Sequence, residues 1–135
     1  MLRYGTNVLV IDPYNEIEHR RPPNMTETEF ISQLLGKVRR FAVNHDVHVF
    51  VVAHPVKMPR VGDKPPGAPT LYDISGSANW ANKADIGLAV HRPDFDGDEV
   101  EIHIHKVRHK WVGKPGGMSL RYDRITGRYF EQVQQ

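Results

Sequence analysis

Val8-Leu9-Val10-Ile11-Asp12 is the stretch of sequence that decides the fold. Its four apolar residues follow one another without alternation, which is typical of a strand buried on both faces in a parallel sheet. Ligands of α/β folds bind at the carboxyl ends of such strands, so Asp12 is predicted to lie in a binding crevice. An Asp in this place holds Mg²⁺ in many proteins that bind nucleoside triphosphates. The alternative is that Asp12 only ends the strand and begins a turn with Pro13.

The composition of the 135-residue chain is that of a folded domain, with 39% hydrophobic and 25% charged residues. The absence of cysteine excludes disulfides and cysteine-based zinc sites. A net charge of +2 allows an anionic partner without requiring one. No apolar stretch approaches the ~18 residues that span a membrane, and no signal peptide is evident. We therefore expect a cytoplasmic protein without a membrane partner.

A helix and a second buried strand follow the first strand. Thr26 and Glu29 have the spacing of a capping box, and the apolar residues after them follow the helical period. The run 47–53 predicts the second strand, which ends on His54. Strand, helix and strand in this order indicate a right-handed unit with parallel strands. Asp12 and His54 are thus predicted to project from the same edge of the sheet.

The segment from Pro55 to Tyr72 is predicted to be a long loop, with five of the ten prolines. Loops of this length in compact domains are either functional or disordered. The cations Lys57, Arg60 and Lys64 suit contacts with a phosphate backbone. An exposed loop with ordinary surface cations is the competing interpretation.

The second half of the chain is predicted to be mainly antiparallel. One short helix and four strands are predicted there, over 73–84, 85–92, 99–108, 118–122 and 128–133. We therefore expect an α/β fold in which a parallel βαβ core is followed by an antiparallel C-terminal hairpin region.

Two patterns resemble metal sites. The acidic loop 93–98 carries part of a calcium-loop pattern, but the other ligands are missing, so we interpret it as a turn. His103 and His105 lie on one face of a predicted strand without an evident third ligand. A solvated strand face is favoured there over a zinc site.

Four blocks, in this order and spacing, resemble the C-terminal part of the RecA-like motor domain of DnaB-superfamily replicative DNA helicases. The resemblance is greatest to the Twinkle and phage primase–helicase branch. The blocks are Val8 to Asp12 as the Walker B strand, Val51 to Lys57, Gly76 to Asp85, and Lys106 to Arg108 with the glycine-containing turn after it. The resemblance covers nearly the whole chain. It implies that residues 1–135 are the C-terminal portion of a RecA-like P-loop ATPase domain.

The resemblance implies catalytic roles for five residues. Asp12 would hold, through water, the Mg²⁺ of a bound ATP or another nucleoside triphosphate. His54 would sense the γ-phosphate, and Asn82 lies where relatives often carry a Gln that touches this phosphate. Arg108 would be the arginine finger that reaches the neighbouring subunit's site, supported by Lys106. An arginine suits this role because its charge is permanent and its donors form a planar fork.

The resemblance also implies binding roles. Arg92 and Tyr122 would sandwich the nucleotide base. Lys57, with Arg60 and Lys64, would grip single-stranded DNA in the central channel of a homo-oligomeric ring, expected to be a hexamer. A bacterial or phage-encoded protein would fit this branch of the family.

One feature of the family is missing. The motif G-x-x-x-x-G-K-S/T, the Walker A phosphate loop, does not occur in the 135 residues. We therefore expect a fragment of an NTP-dependent replicative helicase, with a strand edge and apolar surface left exposed. Two alternatives remain open. One is a non-catalytic module that binds single-stranded DNA or oligomerises; the other is a RecA-like ATPase with a different role in replication or recombination.

The missing phosphate loop predicts that the isolated chain does not hydrolyse ATP, because the lysine and hydroxyl that bind the phosphates and Mg²⁺ are absent. Phosphate release by the purified chain should equal that of an Asp12→Ala variant. Turnover that the Asp12→Ala substitution abolishes would contradict this expectation.

Overall fold

The computed structural model describes residues 5–17, 20–56 and 66–132. Lys57, Arg60 and Lys64, the predicted DNA-contacting cations, lie outside the described residues. The helices and strands are β1 (Val8–Ile11), α1 (Glu27–His45), β2 (His48–Val51), α2 (Ser77–Lys83), β3 (Ile86–His91), β4 (Glu99–Val107), β5 (Gly116–Asp123) and β6 (Arg128–Glu131). No helix among the described residues is long and apolar enough to cross a membrane.

The predicted parallel βαβ unit is confirmed. Strands β1 and β2 pair in parallel, with Val8 opposite His48 and Ile11 opposite Val51. Helix α1 connects them and begins where the capping box predicts. The Thr26 hydroxyl accepts from the Glu29 amide at 3.2 Å, and the Glu29 carboxylate accepts from the Thr26 amide at 2.9 Å. These bonds satisfy donors that the first helical turn leaves unpaired.

The prediction that β1 is buried on both faces is wrong for this chain. Val8 and Val10 are 46% and 56% exposed, and Phe50 on the neighbouring β2 is 47% exposed. The opposite face of the same two strands contributes Val51 to the packing around α1. Only one face therefore has a covering layer among the described residues, although the unbroken apolar run suits a strand covered on two sides.

The predicted antiparallel region is also confirmed. Strands β3 to β6 form one sheet in sequential order, and all three pairings are antiparallel. One face of β3 carries Ile86, Leu88 and Val90, which are 43%, 49% and 61% exposed. The expected apolar surface is thus present on both sheets.

A small core joins the βαβ unit to α2. Tyr14, Ile31 and Trp80 are buried together, and the rings of Tyr14 and Trp80 meet edge to face with centroids 5.1 Å apart. The Trp80 indole donates to the carbonyl of Ser75 at 2.8 Å. Gly76 has a φ of +69°, and a β-carbon there would lie 2.5 Å from Cδ1 of Ile31. A side chain at this position would therefore both strain the backbone and displace the core.

Three carboxylates at local caps predict how stability changes with pH. Hydrogen bonds from Thr26 lower the pKa of Glu29, those from Thr70 lower that of Asp73, and those from Thr126 and Ile125 lower that of Asp123. A folded-state pKa below the unfolded value stabilises the fold above the unfolded value, and this contribution is lost as pH falls through the folded pKa. Unfolding in urea should therefore become easier below about pH 4.5, near the reference pKa of Glu.

The triple variant Glu29→Gln, Asp73→Asn, Asp123→Asn should show a smaller loss of stability between pH 6 and pH 3. A matched control replaces the exposed carboxylates Glu16, Glu99 and Glu131 by Gln. Equal acid sensitivity of the two triple variants would contradict the assignment.

Candidate functional site

Asp12 and His54 leave the same edge of the β1–β2 pair, as predicted. Main-chain hydrogen bonds continue past the strands, from Val52 to Ile11 at 2.9 Å and from Tyr14 to Val52 at 2.7 Å. Both site residues are exposed. The Asp12 carboxylate forms no hydrogen bond or ion pair with another described residue, so it is available to a ligand.

Asn15 connects the two strand ends, and sequence reasoning missed it. Its side-chain oxygen accepts from the backbone amide of His54 at 3.0 Å. This bond fixes the start of the segment after β2 against the turn after β1. An amide residue three positions beyond Asp12 was the available signal, but nothing local identified its partner.

The residues at this edge fit Mg²⁺ only as one carboxylate among other ligands. Among residues 5–17, 20–56 and 66–132, no group of three His, Asp or Glu side chains is placed to hold a metal. Mg²⁺ commonly takes one or two protein carboxylates and completes its shell with water and phosphate oxygens. Asp12 suits that kind of site.

The two patterns that resemble metal sites are engaged in contacts within the protein. In the acidic loop 93–98, Asp98 pairs with Arg124 at 2.6 Å, so a protein cation neutralises this carboxylate. The backbone bends in this loop but forms no regular turn. On β4, the His103 ring lies 2.8 Å from the carboxylate of Glu101 and stacks on His105.

Lys106 and Arg108, the predicted finger residues, lie at the end of β4 and turn toward the end of α2. Lys106 Nζ donates to the carbonyl of Ala81 at 2.5 Å, and Arg108 Nη2 donates to that of Asn82 at 2.6 Å. The last carbonyls of a helix lack donors within the helix and carry partial negative charge, so they attract cations. Asn82 joins this cluster through its main-chain carbonyl. The residue as a whole is exposed.

Asp85 lies two residues after the end of α2 and holds the cluster together, a role that was not predicted. Its Oδ1 lies 2.7 Å from Nε of Arg108 and 3.1 Å from Nη2 of Arg39. Its main-chain carbonyl also accepts from the Arg108 amide at 2.8 Å. Burial lowers the pKa of the nearby Lys106, the Arg108 charge lowers it further, and Asp85 acts in the opposite direction. Nε of Arg108 is buried without a hydrogen-bond partner in the described part of the chain, so Asp85 holds this arginine by charge. The same carboxylate pairs with Arg39 and supports the charge of Lys106.

Arg92 and Tyr122, the predicted base-binding pair, come together in the structure. The Arg92 guanidinium carbon lies 6.0 Å from the centre of the Tyr122 ring, within cation–π range. Nη2 of Arg92 donates to the carbonyls of Gly97 at 2.9 Å and Phe95 at 3.3 Å. Its Nε is buried without a partner in the described part of the chain. Tyr129 stands beside Tyr122, with ring centroids 5.0 Å apart.

The two arginines lie at opposite ends of the β3–β4 pair. Ile86 pairs with Val107 next to Arg108, and His91 next to Arg92 pairs with Glu101. A strand rises ~3.3 Å per residue, so the ends are about 20 Å apart. The predicted base-binding pair and the predicted finger pair therefore lie at separate places on one chain.

The cluster around Asp85 predicts that Asp85→Asn loosens Arg108 without unfolding the chain. The pair is partly exposed, so the loss of stability should be at most ~1 kcal/mol. In NMR spectra, the signal of the Arg108 side-chain Nε–H should shift, because the carboxylate charge 2.7 Å from Nε is removed. Glu99→Gln, which neutralises an exposed carboxylate on β4, is the matched control. An unchanged Arg108 signal in Asp85→Asn would contradict the assigned role.

No family model matches the chain. Over 133 residues it is 50% identical to the Twinkle homolog protein, chloroplastic/mitochondrial, of Arabidopsis thaliana, and the match covers 96% of this chain and 18% of that protein. This plant organellar relative gives no support to the bacterial or phage origin expected from the sequence.

A solved structure of a DnaB-like replicative helicase and its interactions with primase has a similar fold. The TM-score is 0.74 at 23% identity, over 93% of this chain and 31% of that chain. The chain thus spans about a fifth of the curated relative and about a third of the solved chain. The predicted partial RecA-like α/β fold is confirmed. The two likenesses together support the resemblance to the C-terminal region of DnaB-superfamily helicases.

Proposed function

We propose that the chain is part of an NTP-dependent replicative DNA helicase that couples ATP hydrolysis at subunit interfaces to movement along single-stranded DNA and to duplex unwinding. The observation that carries the proposal is the separation of the Arg92–Tyr122 pair from the Lys106–Arg108 pair along β3 and β4. An arginine that completes a neighbouring subunit's site must lie away from the chain's own nucleotide. In a ring of identical subunits, each subunit has a neighbour whose site its arginine can complete.

The Arg92–Tyr122 pair is suited to a nucleotide base. A base stacks on an aromatic ring on one side and on a guanidinium on the other. Arg92 is held by two loop carbonyls, so its position is fixed before a ligand arrives. Its buried Nε–H supplies an unused donor at the same place. Small side-chain movements would open the 6.0 Å gap for a base.

Arg108 is suited to act on a γ-phosphate of the neighbouring subunit. Alone, the chain occupies its guanidinium with a helix end and with Asp85. A phosphate offers shorter, charge-assisted bonds in a paired geometry, so it competes with main-chain carbonyls. An arginine finger supplied in this way contributes ~10³–10⁵ in rate.

Asp12 and His54 are suited to the chain's own nucleotide. When bound, Mg²⁺ neutralises charge on the phosphates. Asp12 would hold the metal through water, and His54 would contact the γ-phosphate and pass its presence to the loop that follows. Lys57, Arg60 and Lys64 in that loop are proposed to bind DNA phosphates, and Asn82 remains a candidate for phosphate contact. The missing phosphate loop keeps one alternative in view, a module that binds DNA or subunits without hydrolysis.

Subunit mixing in the full-length helicase tests the proposal. Asp12→Ala and Arg108→Ala should each abolish ATP hydrolysis. In rings assembled from equal amounts of both variants, roughly a quarter of the interfaces combine an intact Asp12 with an intact Arg108 from the neighbour, so partial activity should return. Lys110→Ala, an exposed cation near the finger, is the control with full activity. No recovery in mixed rings would contradict a finger that acts between subunits.

A further inference from the structure

A polar groove of about 340 Å³ lies between α1 and the end of α2. We propose that this groove binds the phosphate backbone of single-stranded DNA, at a site separate from the loop 55–72. Three of its lining residues are cationic and none is acidic or has an apolar side chain; they are Ser32, Gln33, Gly36, Lys37, Arg40 and Lys83. The inference goes beyond the proposed function, because it requires neither hydrolysis nor the loop cations.

Two cations of the groove converge on one point. The position that a β-carbon on Gly36 would occupy is 3.8 Å from Nη1 of Arg40 and 3.9 Å from Nζ of Lys83. Like charges brought together repel each other unless an anion lies between them. Neither these two cations nor Lys37 has an ion pair with any described residue, although Arg39 on the same helix is paired with Asp85. The groove is therefore short of negative charge.

Gly36 keeps this point open. A glycine inside a helix costs ~1 kcal/mol relative to alanine, so its place in the middle of α1 calls for a reason. Packing does not supply one, since a β-carbon would make only ordinary contacts with flexible side-chain ends. A side chain would, however, fill the space between the two cations. The absence of that side chain leaves room for an oxygen-bearing ligand.

The chemistry of the lining favours phosphodiester groups over an acidic protein segment. Phosphate oxygens accept from guanidinium, ammonium, hydroxyl and amide donors, and the groove offers all four. Protein partners are usually anchored by aromatic or aliphatic side chains in apolar pockets, and this groove has no apolar side chain in its lining. Its three cations suit the phosphates of a nucleic-acid backbone.

Fluorescence anisotropy with a labelled thymidine 20-mer tests the site on the purified chain. Each phosphate contact contributes a slope of ~0.7 in log Kd against log salt, so Arg40→Ala, Lys83→Ala should lower the slope by about 1.4 and weaken binding roughly 10–30-fold at 0.1 M salt. The control Lys114→Ala, Arg128→Ala removes the same charge outside the groove and should leave the slope unchanged. Equal slopes for the two double variants would overturn the proposal.

Gly36 provides a test that separates binding from folding. Gly36→Glu should abolish the groove's contribution to DNA binding. Gly36→Ala should weaken binding and yet raise the melting temperature by ~3–5 °C, because alanine stabilises a helix. Opposite directions for the two measurements exclude general unfolding as the cause. Unchanged binding by both variants would overturn the proposal.

Two further experiments identify the ligand and the location of the site. If the Arg40→Ala, Lys83→Ala effect persists when Lys57, Arg60 and Lys64 are also alanine, the groove acts independently of the loop. If the effect disappears in that background, the proposal of a separate site is wrong.

Inorganic phosphate is the second probe. NMR shifts at Gly36 on addition of phosphate, together with an unchanged slope of log Kd against log salt for DNA binding by the double variant, would identify a small-anion site and overturn the DNA assignment.

Discussion

The hydrogen bonds from Lys106 and Arg108 to the last carbonyls of α2 are the interaction on which the arrangement of the chain depends. A helix of seven residues is too short to be stable alone. Tertiary contacts hold it from two sides, since Trp80 packs on Tyr14 of the βαβ unit while the cations come from the antiparallel sheet. The same contacts that join the two sheets therefore also set the positions of Lys106 and Arg108.

This coupling gives the Arg108 side chain a defined position. Arg108 is bound by a helix end and by Asp85, which Arg39 shares from α1. Its release needs a partner of higher charge density, such as a phosphate. Arg92 at the far end of β3 is held by different groups, the carbonyls of the loop after that strand. Separate sets of contacts thus position the two arginines.

Sequence reasoning succeeded where the signal is local. The capping box fixed the start of α1, and the apolar runs around β1 and β2 indicated a parallel pair. It failed for Asn15 and Asp85, because their partners His54 and Arg108 lie far away in the sequence and are brought close only by the fold. The exposure of β1, β2 and β3 could not be predicted from each strand alone. An apolar run shows that a strand is suited to burial, but it does not show whether another element of the chain covers it.

The central claim is the proposal that one chain serves two nucleotides, its own through Arg92 and Tyr122 and its neighbour's through Arg108. A structure of the full-length helicase ring bound to a non-hydrolysable ATP analogue tests this claim most directly. We expect the base to lie between Arg92 and Tyr122, and the Arg108 guanidinium to lie within hydrogen-bonding distance of the γ-phosphate in the adjacent subunit's site. Arg108 still turned toward Asn82 and Asp85 of its own chain at every occupied interface would contradict the claim.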